Sequence, residues 1–184
     1  MRKLSYVITL SAALLAANVA FAENTVMVGG QSMLPSKDIV DNAVNSADHT
    51  TLVAAVKAAG LVDTLKGKGP FTVFAPTNAA FNKLPAGTVD TLVKPENKAT
   101  LTKILTYHVV PGRYDFAALS SAIKKGGGMA ELPTASGGKL TFKQNGMHNI
   151  DVTDDGGHVA SISTYDVYQS NGVINVIDTV LLPK

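Results

Sequence analysis

The chain contains no cysteine in 184 residues. That excludes a disulfide framework, a thiolate metal site, thiol catalysis and a lipid-modified cysteine behind an export signal. Arginine is nearly missing too, since Arg113 is the only one after Arg2. Of 16 basic side chains, Arg2 and Lys3 stand at the start, and the other 14 face 14 acidic ones. So balanced a chain lacks the clustered basic surface that phosphate binding needs, and nucleic acid is not an expected partner. Catalytic signatures are lacking as well: there is no G-x-x-x-x-G-K-[ST], no H-E-x-x-H and no G-x-S-x-G. Gly126-Gly127-Gly128 is not followed by the helical pattern of a phosphate cradle. Their joint absence argues against an enzyme, and no cofactor is expected.

What is present begins with an export signal. Arg2 and Lys3 lead into an apolar run over residues 4–20, and Ala20-Phe21-Ala22 has the small-x-small pattern that signal peptidase cuts after. A membrane anchor is the weaker reading, because Ser5, Thr9, Ser11 and Asn18 dilute the run and no basic stop-transfer cluster follows. Residues 1–22 are therefore expected to be removed, leaving an exported protein, periplasmic or secreted, without an integral membrane anchor. The short signal with its basic start points to a bacterium.

Residues 23–36 contain Gly29, Gly30 and Pro35 without a sustained period and read as a lead-in. One domain is expected over residues 37–184. Its first half has helical spacing. Ile39, Ala43, Val44 and Ala47 stripe one helix; Leu52, Val53, Val56 and Ala59 stripe a second, which Asp48 or Thr50 can cap and Gly60 ends. Leu101, Ile104 and Leu105 stripe a third that begins near Pro95 and Glu96. Between them, residues 71–75 are apolar on both alternating sets, which predicts a strand buried on two faces. Pro76 stops it, and Thr77 can cap a short helix bearing Ala80, Phe81 and Leu84.

The second half changes to a period of two. Leu140 with Phe142, Ile150 with Val152, and Val159 with Ile162 are separated by Gly and Asp clusters, as in an antiparallel meander, and residues 173–182 close the chain as an apolar strand. Helices first and strands after predict an α+β fold.

FTVFAPTNAAF (71–81) resembles the first signature of fasciclin-like domains, and NGVINVIDTVLLP (171–183) resembles the second. Tyr107-His108, followed by Val109-Val110-Pro111-Gly112, resembles the family's central Tyr-His motif. Asn175 departs from the pattern, since many relatives carry His there; Asn also donates and accepts hydrogen bonds, so the fold is not affected. The resemblance implies an antiparallel sheet folded over into a wedge or sandwich, with helices at one edge. It also implies a non-catalytic adhesion or surface-interaction module that binds a cell-surface or matrix protein or a polysaccharide, and a monomer is expected. Phe74, Thr77, Asn78, Phe81, Asn175 and Asp178 are its structural signature residues, and Tyr107 and His108 are the pair through which it suggests partner contact.

A periplasmic small-ligand or metal-ion binding protein is the alternative function, and a hydrolase is disfavoured. His148, Asp151, Asp154, Asp155 and His158 lie close in sequence, which invites a metal reading. If Asp155-Gly156 forms a two-residue turn, Thr153 faces His158, and the two histidines sit on the order of 17 Å apart on opposite faces. No metal site is therefore expected there, only a hairpin turn. His108 follows Ile104 by four and Leu101 by seven, so its own spacing points it into the core. Asp178 lies within an apolar stretch, so donors around its carboxylate and a role in holding the fold are expected.

Overall fold

The computed structural model describes residues 25–184. The export signal and its cut before Glu23 lie outside the described residues. The expected lead-in contains a small hairpin, β1 (Val26–Val28) with β2 (Gln31–Met33). Val28 and Met33 are buried against the helices, so the packed unit begins upstream of Lys37.

The helices follow. The first expected helix is shorter than its stripe: α1 (Ile39–Ala43) ends before Val44, and Ala47–His49 forms a separate 3-10 turn. Next come α2 (Thr50–Ala59) and α3 (Val62–Leu65). Gly60 stops α2 in the left-handed conformation, φ 72°, that glycine adopts without steric cost. Neither Asp48 nor Thr50 caps α2 with its own side chain. Asn78 does so from a distance, its Oδ1 accepting from the Thr51 N–H at 3.0 Å and its Nδ2 donating to the Ala47 carbonyl at 2.9 Å. Strand β3 (Phe71–Pro76) leads into α4 (Asn78–Asn82), which Thr77 caps as expected, and α5 (Thr88–Leu92) follows. Helix α6 (Lys98–Tyr107) begins after the turn at Pro95–Asn97 and feeds β4 (Val109–Pro111).

The order is not simply helices before strands. Helix α7 (Phe116–Lys125) comes after β4, with the Asp115 carboxylate accepting from the Ala118 N–H at 2.8 Å. Then come β5 (Met129–Pro133), β6 (Lys139–Asn145), β7 (Asn149–Thr153), β8 (Val159–Gln169) and β9 (Gly172–Ile177). With β3 and β4 they form a seven-stranded sheet ordered β4-β3-β9-β8-β7-β6-β5. Only β3 and β9 run parallel, in register from Phe71 with Gly172 to Pro76 with Ile177. The fold is α+β with a folded-over, mostly antiparallel sheet, as the family resemblance implied.

Folding over happens within β8. Its register to β9 shifts twice, and Asp166 sits at φ 59°, a left-handed conformation that Asp tolerates better than most residues. Asn175, fully buried, holds that bend: its Oδ1 accepts from the Asp166 N–H and its Nδ2 donates to the Tyr114 carbonyl. The Asp166 carboxylate in turn accepts from the Phe116 N–H at 2.7 Å and anchors the start of α7. Across the sheet's two edges, the Ala135 N–H reaches the Val109 carbonyl at 2.8 Å.

Two cores result, and β3 and β9 are the wall between them. Val73, Ala75, Ile174 and Val176 face the helices, while Phe74 and Ile177 face the inside of the folded sheet with Phe142, Leu140 and α7's Leu119 and Ile123. The expectation of a two-faced first strand holds. The last strand is shorter than expected, because β9 ends at Ile177 and the chain then runs on as an irregular tail.

Candidate functional site

The Tyr-His motif lies where α6 ends and β4 begins. Both side chains are buried, Tyr107 fully. The Tyr107 hydroxyl donates to the Lys139 carbonyl at 2.7 Å and accepts from the Asp155 N–H at 2.8 Å. It thereby ties the end of α6 to both the start of β6 and the β7–β8 turn. Burial pushes its pKa up to about 12, so it stays a neutral hydrogen-bonding phenol. Gly138 is required beside it, since a Cβ there would stand 2.6 Å from the Tyr107 ring.

His108 is held in one tautomer by its partners. Nδ1 lies 2.8 Å from the Ile104 carbonyl, which can only accept, and Nε2 lies 3.0 Å from the Leu181 N–H, which can only donate. The proton therefore resides on Nδ1. Complete burial pushes the ring's pKa down to about 4, outweighing the Ile104 carbonyl and the Asp154 carboxylate, both of which favour the charged form.

Asp154 is the residue that sequence reasoning undervalued. Its carboxylate is fully buried and accepts from the Leu182 N–H at 2.9 Å, from the His158 N–H at 2.8 Å and from His158 Nδ1 at 3.0 Å. Together, His108 and Asp154 latch consecutive amides of the C-terminal tail. The expected two-residue turn is one residue too short. Thr153 pairs with Val159 rather than His158, the Asp154 N–H bonds the His158 carbonyl, and Asp155, Gly156 and Gly157 form the loop. The shift turns Val159 outward, half exposed, and puts Ala160 and Ile162 in the core. A buried carboxylate needs several donors, and the longer loop supplies one by bending His158 back onto it. Among the described residues, no group of three or more His, Asp or Glu side chains is placed to hold a metal ion.

The signature residues divide between the cores and the links that join them. Phe74 is fully buried against Phe142, ring centroids 5.2 Å apart, and Phe81 packs on the helical side. Asn78 and Asn175 are the clamps described above. Asp178 differs from its expected setting: it lies just past β9 and is exposed. The expected donors are nevertheless there. The Ser161 N–H, the Thr179 hydroxyl and Lys83 Nζ surround its carboxylate and hold its pKa below the ordinary value despite some desolvation.

Asn171, first residue of the second signature, is a clamp that sequence reasoning missed. Its Oδ1 accepts from the Ile39 N–H, and its Nδ2 donates to the Leu65 and Gly67 carbonyls, joining α1, α3 and β9. Helix α7 was also missed, although Leu119 and Ile123 four apart, Asp115 before them and Lys124-Lys125-Gly126 after them spell a capped amphipathic helix.

A folded-over sheet, a Tyr-His hub buried at its seam and a C-terminal signature strand parallel to the first define a class of domain. The chain belongs to the fasciclin domain family, whose pattern it matches over residues 47–183. It is 45% identical over 168 residues to Protein sll1483 of Synechocystis sp. (strain ATCC 27184 / PCC 6803 / Kazusa), covering 91% of this chain and 85% of that one. It is 34% identical over 167 residues to the cell surface glycolipoprotein MPB83 of Mycobacterium bovis, covering 88% and 68%. Its fold is similar to that of a FAS1 domain pair from the insect cell adhesion molecule fasciclin I, with a TM-score of 0.71 at 20% identity over 81% of this chain and 52% of that one. Members of this family are adhesion or structural proteins, not enzymes. Among the described residues, no helix is long and apolar enough to cross a membrane.

Proposed function

We propose that the protein is an exported bacterial interaction module, acting in adhesion by binding a surface or matrix protein or a polysaccharide, and catalysing no reaction. Membership of the fasciclin family carries this reading. Two similar proteins support it by name, one a cell surface glycolipoprotein and the other a cell adhesion molecule. The chemistry of the hub is consistent with it. The Tyr107 hydroxyl and both His108 nitrogens are taken up by backbone partners, which leaves no acid, base or nucleophile free at the motif.

In this reading Tyr107 and His108 serve the partner surface from beneath. They position Lys139, the Asp155 loop and the C-terminal tail, whose outward atoms a partner meets. The working protein is a monomer lacking residues 1–22, in the periplasm or the medium, with one domain that includes the β1–β2 hairpin. One near-neutral domain binds weakly and with little salt dependence, so firm attachment rests on many copies clustered on a surface.

The protein recovered from envelope and medium fractions is the material to test. Its mass is expected to place the N-terminus at Glu23, and an intact Met1 would overturn export by cleavage. Presented to envelope, polysaccharide and host-surface fractions, it is expected to show one saturable partner. Turnover of any compound in a broad substrate panel would overturn the non-catalytic reading.

A further inference from the structure

We infer that the helical core contains a binding site for a small uncharged apolar molecule, about the size of one aromatic ring. Between the helices and the sheet lies a cavity of about 140 Å³, walled by Val28 and Met33 of the N-terminal hairpin, Leu52 and Val56 of α2, Val73 of β3 and Ile174 of β9. Protein interiors are close-packed, with few voids larger than a water molecule. An apolar void of about 150 Å³ stays dry and takes benzene, so this one matches a ligand of that size and polarity. It is also reachable. Its lining extends to half-buried Leu61 and Val62 and to exposed Lys57 and Thr64, which places a rim at the corner between α2 and α3.

A second observation keeps the ligand apolar. His49 lines the cavity and is 3% exposed. Its Nδ1 lies 2.8 Å from the Ser46 hydroxyl, while its Nε2 is buried with no hydrogen-bond partner. The Ala75 carbonyl is near enough to favour a charged ring, but it does not meet Nε2 in hydrogen-bonding geometry, and burial outweighs it to lower the pKa. The ring is thus neutral at pH 7, and its second nitrogen is closed off from the cavity. Contrast His108, on which both nitrogens are satisfied by the chain itself. The walls offer no accessible hydrogen-bonding atom, so an apolar ligand fits them and a charged or strongly polar one does not.

The test titrates the exported protein with benzene and with phenol, following methyl resonances of Val56, Val73 and Ile174 by NMR. Benzene is expected to saturate and to shift those methyls, and phenol, whose hydroxyl finds no partner there, to bind about 5-fold more weakly for one lost hydrogen bond. Val53→Phe, which fills the cavity from a half-buried position on α2, is expected to abolish both while the protein stays folded. Two results would overturn the site. One is the absence of saturable shifts in the wild-type protein; the other is equal shifts in the filled variant. Neither result touches the adhesion reading, which is decided by the partner fractions.

Discussion

The two cores share a wall and differ in how well they are filled. Tyr107, Phe74, Phe142, Leu119, Ile123, Leu140, Ile150, Ile177 and Leu181, among the largest fully buried side chains, all belong to the core inside the folded sheet. The helical core keeps the cavity and a buried histidine nitrogen without a partner. Its helices are short, ten residues at most, and present Ala55 and Ala59 beside β-branched residues. A sheet curling on itself can close around large side chains from several sides, with α7 as the plug. Short helices laid across one face of that sheet meet it along lines and leave gaps. The closed core is the better filled, and the open one has room for a ligand.

The sharpest way to break this contrast is to delete one large side chain on either side of the wall. Phe74→Ala is expected to cost roughly 3–5 kcal/mol, because its fully enclosed ring leaves a new cavity, whereas Leu52→Ala, already beside a void, should cost nearer ~2 kcal/mol. Denaturant unfolding of the two variants checks this. Equal losses would mean that the cores are equally packed.

Acid separates the two histidines less steeply. With its pKa near 4, buried His108 stays neutral between pH 6.5 and 4, while the unfolded chain takes up a proton. Stability is therefore complete above pH 6.5, declines as pH falls through that window and levels off below it, with His108 contributing on the order of 3 kcal/mol. His49, lowered by burial too, adds in the same direction. Unfolding free energies measured from pH 7.5 to 4 should follow this slope, and His108→Ala should flatten most of it.

At neutral pH, His108→Ala is expected to cost roughly 1–3 kcal/mol, since the Leu181 amide and the Ile104 carbonyl lose a partner. Tyr107→Phe keeps the ring and loses only the hydroxyl's bonds, so about 1 kcal/mol is expected. Partner binding should fall only as far as unfolding accounts for. A His108→Ala protein that melts like the wild type yet fails to bind would make this segment the contact itself.

The smallest effects belong to the links between layers. Asn78→Ala removes the borrowed cap of α2 and should cost about 1 kcal/mol, and Asp178→Asn, in an exposed ion pair with Lys83, less than ~1 kcal/mol. Melting temperatures of both variants rank them. An Asp178→Asn loss as large as that of Phe74→Ala would give this exposed pair a weight that its setting does not explain.

Local chemistry by itself determined much of this protein. The two-faced strand over residues 71–75, the Thr77 cap, the Gly60 stop, the inward His108 and the change of period from helices to strands all follow from residue spacing within a few turns or one strand. Tertiary structure alone decided the rest. Asn78 caps a helix 27 residues earlier in the chain, Asn175 clamps a bulge nine residues back, β3 finds its parallel partner a hundred residues on, and one extra residue in the Asp155 loop turns Val159 out and buries Asp154. The physical reason is range. Capping, turn conformation and hydrophobic period act between neighbours in sequence, whereas a buried polar group takes whichever donor the finished packing brings within about 3 Å, and a cavity is what that packing leaves unfilled.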